Sequence, residues 1–198
     1  DVVTSELQES IMLTRMQPVN NIFSKFPRMV RDLAQQVGKK IDLEIEGKEV
    51  EVDKAIIEGL SDPLTHLVRN AVDHGIELPE VRERDGKPPA GLIRLKAFHE
   101  SGQIIIEISD DGKGLDGETI AAKALEKGLV SADYLQSLPT EKEKLNLIML
   151  PGFSTAEKIT DISGRGVGMD VVKTNLDKMG GHLELDSRSG RGVTVRVK

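Results

Sequence analysis

Cysteine and tryptophan are absent from the 198 residues, and only one Tyr and four Phe are present. Without cysteine there is no disulfide framework, no thiolate metal site and no thiol nucleophile, which fits a cytoplasmic location. So few aromatic rings leave little on which single-stranded bases could stack. A net charge of −6 opposes the clustered Lys and Arg that neutralise nucleic-acid phosphates, so nucleic acid is not an expected partner. No apolar run approaches the ~18 residues of a membrane span, and the first residues show no signal-peptide pattern, so no membrane contact is expected. With 38% apolar and 30% charged residues, the chain reads as a soluble globular domain, or a domain plus a segment of another.

Charge is unevenly placed. Residues 1–40 carry six basic and four acidic groups, against 21 basic and 29 acidic groups in residues 41–198, which suggests a boundary near residues 28–40. Val3, Leu7, Ile11, Met12 and Met16 recur at helical intervals before Pro18 interferes, as at the end of a helix. Pro18 and Pro27 bracket an expected linker, after which Met29, Val30, Leu33, Ala34 and Val37 mark a helix stopped by Gly38. The first helix has no clear cap, as in a chain cut from something longer, although a frayed terminus reads the same way.

Strand-like alternation follows in "IDLEIEG". In "VDKAIIEGLSDPLTHLVRNAVDHGIE", Ile56, Leu60, Leu64, Leu67 and Ala71 form one apolar helical stripe. Pro63 suits the start of its main part, with Ser61 or Asp62 as cap. His66, Asn70 and His74 lie along the edge of that stripe, four residues apart, where they either line a pocket or merely border the core. "GLIRLKAFHE" and "SGQIIIEIS" read as antiparallel strands joined by a Gly-containing turn. Roughly fifty residues then read as short helices with polar connections rather than core, a length that is often functional. "HLELDS" and "GVTVRVK" close the chain as a hairpin. The expected fold is α+β, a two-layer sandwich of a mainly antiparallel mixed sheet with helices on one face.

Two glycine-rich sites stand out. Asp110, Gly112 and Gly114 in "SDDGKGLD" follow the strongest strand; an Asp there can accept from a base amino group while the glycines permit close approach. The same residues serve equally as a turn. Gly164, Gly166 and Gly168 in "GRGVGMD" open a helix over Met169–Lys178, and backbone N–H groups at such an entry attract phosphate. The spacing fits neither a Rossmann fingerprint nor a P-loop. His99 and His182 fall outside every motif and are expected to be structural.

The order "HxxxN", "DxGxG", "PGFST", "GRGVG" resembles the N, G1, F and G2 boxes of the GHKL ATPase and kinase superfamily, the Bergerat fold. "HLVRNAVDHGIE", "RDGKPPAG", "DDGKGLD", "PGFST" and "SGRGVGMDVVK" are similar to the catalytic ATP-binding domain of bacterial chemotaxis histidine kinases over nearly the whole chain. The N-terminal "LTRMQPVNNIFSKFPRMVRDLA" resembles the junction with their dimerisation helices. The resemblance divides the chain into residues 1–27, the end of a dimerisation helix and a linker, and residues 28–198, a catalytic domain with an ATP lid at about 115–163.

It implies ATP and Mg²⁺ as cofactors, with Asn70 as the metal ligand, since a neutral amide oxygen suits a hard cation that keeps most of its waters. His66 falls where related ATPases place a general-base Glu, which implies orientation of the γ-phosphate or acceptor rather than activation of water. Arg69 would reinforce that charge balance, or remain solvated. Asp110 would contact the adenine amino group, with Gly112 and Gly114 shaping the pocket. Asp73, His74, Lys123, Ser163, Gly164, Arg165, Gly166, Val167, Gly168 and Met169 complete the implied nucleotide site. Thr119 stands one turn before Lys123, where a second Lys is expected. Phe153, Ser154 and Thr155 would close the lid, unless Phe153 only packs the lid's own small core.

The implied reaction moves the γ-phosphoryl of ATP to a histidine on a separate phosphotransfer domain, for relay to a response regulator. The coupling protein and chemoreceptors would act through domains absent here. The fragment is expected to be a monomer and its parent a dimer. An ATPase of the gyrase, mismatch-repair or chaperone kind and a nonenzymatic nucleotide sensor are the competing readings. His66 in place of Glu counts against the first.

Overall fold

The computed structural model describes residues 2–6, 15–153 and 168–198. A short strand β1 (Met16–Pro18) leads into α1 (Asn20–Phe23) and α2 (Phe26–Val37). Then come β2 (Lys40–Glu46), β3 (Glu51–Asp53) and the long α3 (Lys54–Asn70), which runs on into a π turn over Ala71–Gly75. Next are α4 (Pro79–Arg84), β4 (Ala90–Glu100) and β5 (Gln103–Asp110). Three short helices, α5 (Gly117–Glu126), α6 (Ala132–Gln136) and α7 (Glu141–Leu145), precede a 3₁₀ turn over Asn146–Met149. The described chain ends with α8 (Met169–Lys178), β6 (Leu183–Arg188) and β7 (Gly192–Val197).

Five strands form one mixed sheet in the order β2-β4-β5-β7-β6, while β1 and β3 pair separately. Only β2–β4 is parallel; the other three pairings are antiparallel. Register builds the two faces. Ile45, Leu95, Ile108, Val195 and Leu185 stand opposite one another across the sheet and join the core. On alternate positions Arg94 bonds Glu44 at 2.9 Å, and Arg196 bonds Glu107 at 2.7 Å, so that face is charged. The α+β sandwich expected from the sequence is the observed one.

Local chemistry sets the helix limits. Gly38 ends α2 in the left-handed region at φ 70°, its N–H reaching Ala34 O and Gln35 O. Asp53 caps α3 by accepting from Ala55 N at 2.8 Å.

Several expectations are corrected. The segment between Pro18 and Pro27 is structured: Met16–Pro18 pair with β3, and Val19, Ile22, Phe23 and Phe26 are buried in the core. Pro27 lies in the first turn of α2, where its missing N–H costs nothing. Met16 is therefore a strand residue, and Leu7, Ile11 and Met12 lie outside the described residues. Helix α3 starts before Ser61 and carries Pro63 inside it. Ile57 joins Leu60, Leu64, Leu67 and Ala71 in the buried stripe, leaving Ile56 at its edge and 38% exposed. The short helices after β5 are not merely polar surface, because Ile120, Ala121, Ala124, Leu145, Leu147 and Met149 belong to the core.

Candidate nucleotide site

The site forms around the π turn. Asn70 ends α3 and Gly75 ends the turn, where Ile76 N donates to Ala71 O at 2.9 Å. Such one-turn widenings often occur where a helix serves function. Lys39 supports the turn from outside, donating from Nζ to Val72 O (2.7 Å) and Asp73 O (2.9 Å). Burial lowers the Lys39 pKa, with Asp73 partly opposing the shift.

Gly75 is the hinge point between helix and loop. A Cβ there would stand 3.0 Å from Asp110 Oδ2, and a Cβ on Gly112 would stand 1.9 Å from Gly75 O. Lys113 N donates to that same carbonyl at 2.9 Å. Gly114, at φ +72°, would bring a Cβ to 2.1 Å from Arg188 O. These glycines thus allow backbone to lie on backbone, which is a stricter demand than leaving room for a ligand.

Asp110 lies at the end of β5 against this junction. Its Oδ1 accepts from Gly112 N at 2.9 Å. Burial pushes its carboxyl up to about 6; the N–H groups of Gly112 and Val193 oppose that rise, and the charges of Asp111 and Glu77 add to it. A desolvated carboxyl at a strand end, held by two backbone donors, is suited to reading a hydrogen-bond donor on a ligand.

Beneath the loop lies a network outside the sequence-based site. Arg82 is fully buried and donates to Glu77 Oε1 (3.0 Å), Asp111 Oδ2 (3.1 Å), Asp111 O (3.2 Å) and Pro88 O (2.8 Å). Lys87 Nζ donates to Glu77 Oε2 (2.8 Å), Gly112 O (2.9 Å) and Asp111 O (3.2 Å). Burial alone would raise the Glu77 carboxyl, but the Lys87 hydrogen bond, a backbone donor and both cations hold it below the usual range. The signal for this network was the charge-rich "IELPEVRERDGKPPAG", where a buried Arg is invisible without the tertiary contact.

The other expected residues fall as follows. His66 and Asn70 are half-buried and His74 is exposed. Asn70 Nδ2 donates to Met169 Sδ at 3.8 Å, which leaves the amide oxygen as the acceptor of that side chain. Met169 is buried at the start of α8, and Gly168 is its N-cap. Arg69 Nε stands 3.7 Å from Asp73 Oδ2, one turn on. His99 and His182 are exposed.

Lys123 stands 5.2 Å from the centroid of Phe153, and Lys127 stands 5.5 Å from the same ring. Lys127 Nζ also donates to Phe153 O. The second cation on this ring, Lys127, is the C-cap of α5 one turn after Lys123, readable in "KALEK", while Thr119 Oγ1 bonds Asp116 at 3.0 Å near the helix start. Among the described residues no hydrogen bond or ion pair joins Lys123 to Asn70 or Asp110. Phe153 is buried. Ser154, Thr155, Ser163, Gly164, Arg165, Gly166 and Val167 lie outside the described residues.

Residues 59–198 match the family model described as histidine kinase-, DNA gyrase B- and HSP90-like ATPase. The chain belongs to this ATPase family. Within it, the chain is 52% identical over 196 residues to a protein of Helicobacter pylori named sensor histidine kinase CheAY, covering 99% of this chain and 24% of that protein. It is also 52% identical over 192 residues to the chemotaxis protein CheA of Salmonella typhimurium, covering 97% of this chain and 28% of the relative. The chain therefore spans about a quarter of the length of these relatives. The catalytic domain of histidine kinase ThkA, in a nucleotide-free form, shares the ATPase fold with a TM-score of 0.55 at 15% identity, covering 92% of this chain and 91% of that one. No helix among the described residues is long and apolar enough to cross a membrane.

Proposed function

We propose that this chain is the ATP-binding catalytic domain of a chemotaxis sensor kinase, and that it transfers the γ-phosphoryl of MgATP to a histidine on a separate phosphotransfer domain. The observation that carries the reading is the pair of polar groups at the two ends of one π turn. Asn70 precedes the turn and Asp110 packs on Gly75 at its end. In this reading Asp110 accepts from the adenine amino group, and Asn70 Oδ1 holds Mg²⁺, which when bound neutralises phosphate charge.

The side chain one turn before Asn70 is His66, an imidazole where a hydrolase needs a carboxylate base for water. His66 therefore orients the γ-phosphate or the incoming acceptor, and transfer is favoured over hydrolysis. In the same reading Lys123 is the cation that approaches the phosphates. The sites assigned to Asp73, His74, Gly112, Gly114, Gly168 and Met169 surround the same nucleotide. In a full-length kinase of this type, a response regulator receives the phosphoryl group, and a coupling protein and chemoreceptors control its supply.

The test adds γ-labelled MgATP to this chain and a histidine phosphotransfer domain, and follows label on protein and as free phosphate. Acid-labile label that needs both chains is expected, with Asn70→Ala lowering its rate at least 100-fold while leaving the melting temperature within a few degrees. Rapid phosphate release without the acceptor would replace the kinase reading by an ATPase. Near-normal transfer by Asn70→Ala would remove the metal role from that residue.

A further inference from the structure

One peptide group links the buried Arg82 and the half-buried Lys87 to the Asp110 carboxylate. The Asp111 carbonyl accepts from both Lys87 Nζ and Arg82 Nη1, each at 3.2 Å. The N–H of the same peptide unit, on Gly112, donates to Asp110 Oδ1 at 2.9 Å. A peptide is planar and its C=O and N–H point in opposite directions. Fixing the carbonyl between two cations therefore aims the N–H at Asp110, and polarisation of the peptide strengthens that donation. Lys87 also holds the next carbonyl, Gly112 O, at 2.9 Å.

The same cations manage the local charge. Asp111 and Glu77 both push the Asp110 carboxyl upward, and Glu77 is bound by Lys87 and Arg82. Of the other elements packed here, the π turn carries Asp73 and His74, and the loop itself carries Lys113.

We propose that Lys87, acting with Arg82 through the Asp111–Gly112 peptide, is a positioning residue that keeps the Asp110 carboxylate aimed as an acceptor, and so sets selectivity for a purine bearing an exocyclic amino group. This rests on the reading of Asp110 as the adenine contact. Lys87 touches no nucleotide in this account; its effect reaches the base only through backbone.

The experiment measures binding of MgATP and of inosine triphosphate, whose base has a keto oxygen in place of the amino group, from pH 5 to 8. Comparing the two nucleotides cancels titration on the triphosphate side. For Lys87→Gln the preference for ATP is expected to fall roughly 2- to 10-fold, the worth of one hydrogen bond. The pH at which that preference is lost should also move upward, and Lys87→Arg should restore both. Glu77→Gln removes a negative charge and should move the same midpoint downward, a shift opposite in sign that loosening of the loop would not produce.

Equal weakening of both nucleotides at every pH, or no change in either, overturns the inference. Should Lys87→Gln fail to fold, Glu77→Gln decides alone: a midpoint that stays or rises overturns it. Asp110→Asn separates the two levels of the argument. If that variant keeps the full ATP preference, the adenine reading itself fails; if it loses the preference while Lys87→Gln keeps it, only the role of Lys87 fails.

Discussion

Asp110 is a desolvated carboxyl kept at a cost to the fold. Its carboxyl is pushed up to about 6 from 3.8, chiefly by burial. Between those two values the folded chain holds a proton that the unfolded chain has released, so this group's contribution to stability falls as pH rises through that window. Above about 6 the ionised, desolvated form carries its full penalty. Asp110→Asn is therefore expected to melt at the same temperature as the parent or higher at pH 8, and to lose part of the pH dependence between 4 and 6. ATP affinity should nevertheless drop. Thermal melts across pH, paired with nucleotide titration, check both halves; a variant less stable at pH 8 would show that the carboxylate supports the fold. Asp110 itself was legible, since an Asp after the strongest strand is conspicuous. Arg82 and Lys87 were not, because nothing in a charged, Pro-containing segment marks which cation turns inward.

Among the elements, the contact between the π turn and the loop after β5 is tightly constrained. Gly112 lies so close that a Cβ would meet Gly75 O at 1.9 Å, and a backbone carbonyl cannot move aside as a side chain can. Gly112→Ala should cost about 1–3 kcal/mol of unfolding free energy and weaken ATP binding with it. Gly86→Ala makes a useful comparison: nothing stands within 4 Å, and only its φ of +80° opposes the change, so it should cost stability with little effect on ATP. Urea unfolding and calorimetry on both variants give the answer, and equal loss of ATP affinity in the two would contradict a local role for the contact. Helix and strand periodicity was readable in α2, β2, β4, β5, α8 and the final hairpin. The π turn was not, since two of its carbonyls accept from Lys39, which arrives from a distant part of the chain.

For the whole molecule, the segment around residues 19–26 matters more than composition suggested. Phe23 and Phe26 are fully buried with Val19 in the main core, although the family match begins only at residue 59. Phe23→Ala is expected to destabilise the chain by about 3–5 kcal/mol, read as a lower urea midpoint with an unchanged slope. A loss under 1 kcal/mol would mean that this segment packs as an appendage. The two prolines that suggest breaks lie within ordered elements. Pro18 sits in a strand of a two-stranded pair and Pro27 in the first turn of a helix, two positions that tolerate a missing N–H.

The sequence by itself determined the α+β class, the order of boxes and the placement of Asn70 on a helix and Asp110 at a strand end. Those features are local, written in periodicity, glycine spacing and residue type. Only the tertiary structure decided which apolar residues close the core, why Gly112 must lack a side chain, and which cation is buried beneath the loop. Each of these is settled by what an opposing segment, far away in the chain, presents at contact distance, and no local pattern encodes that.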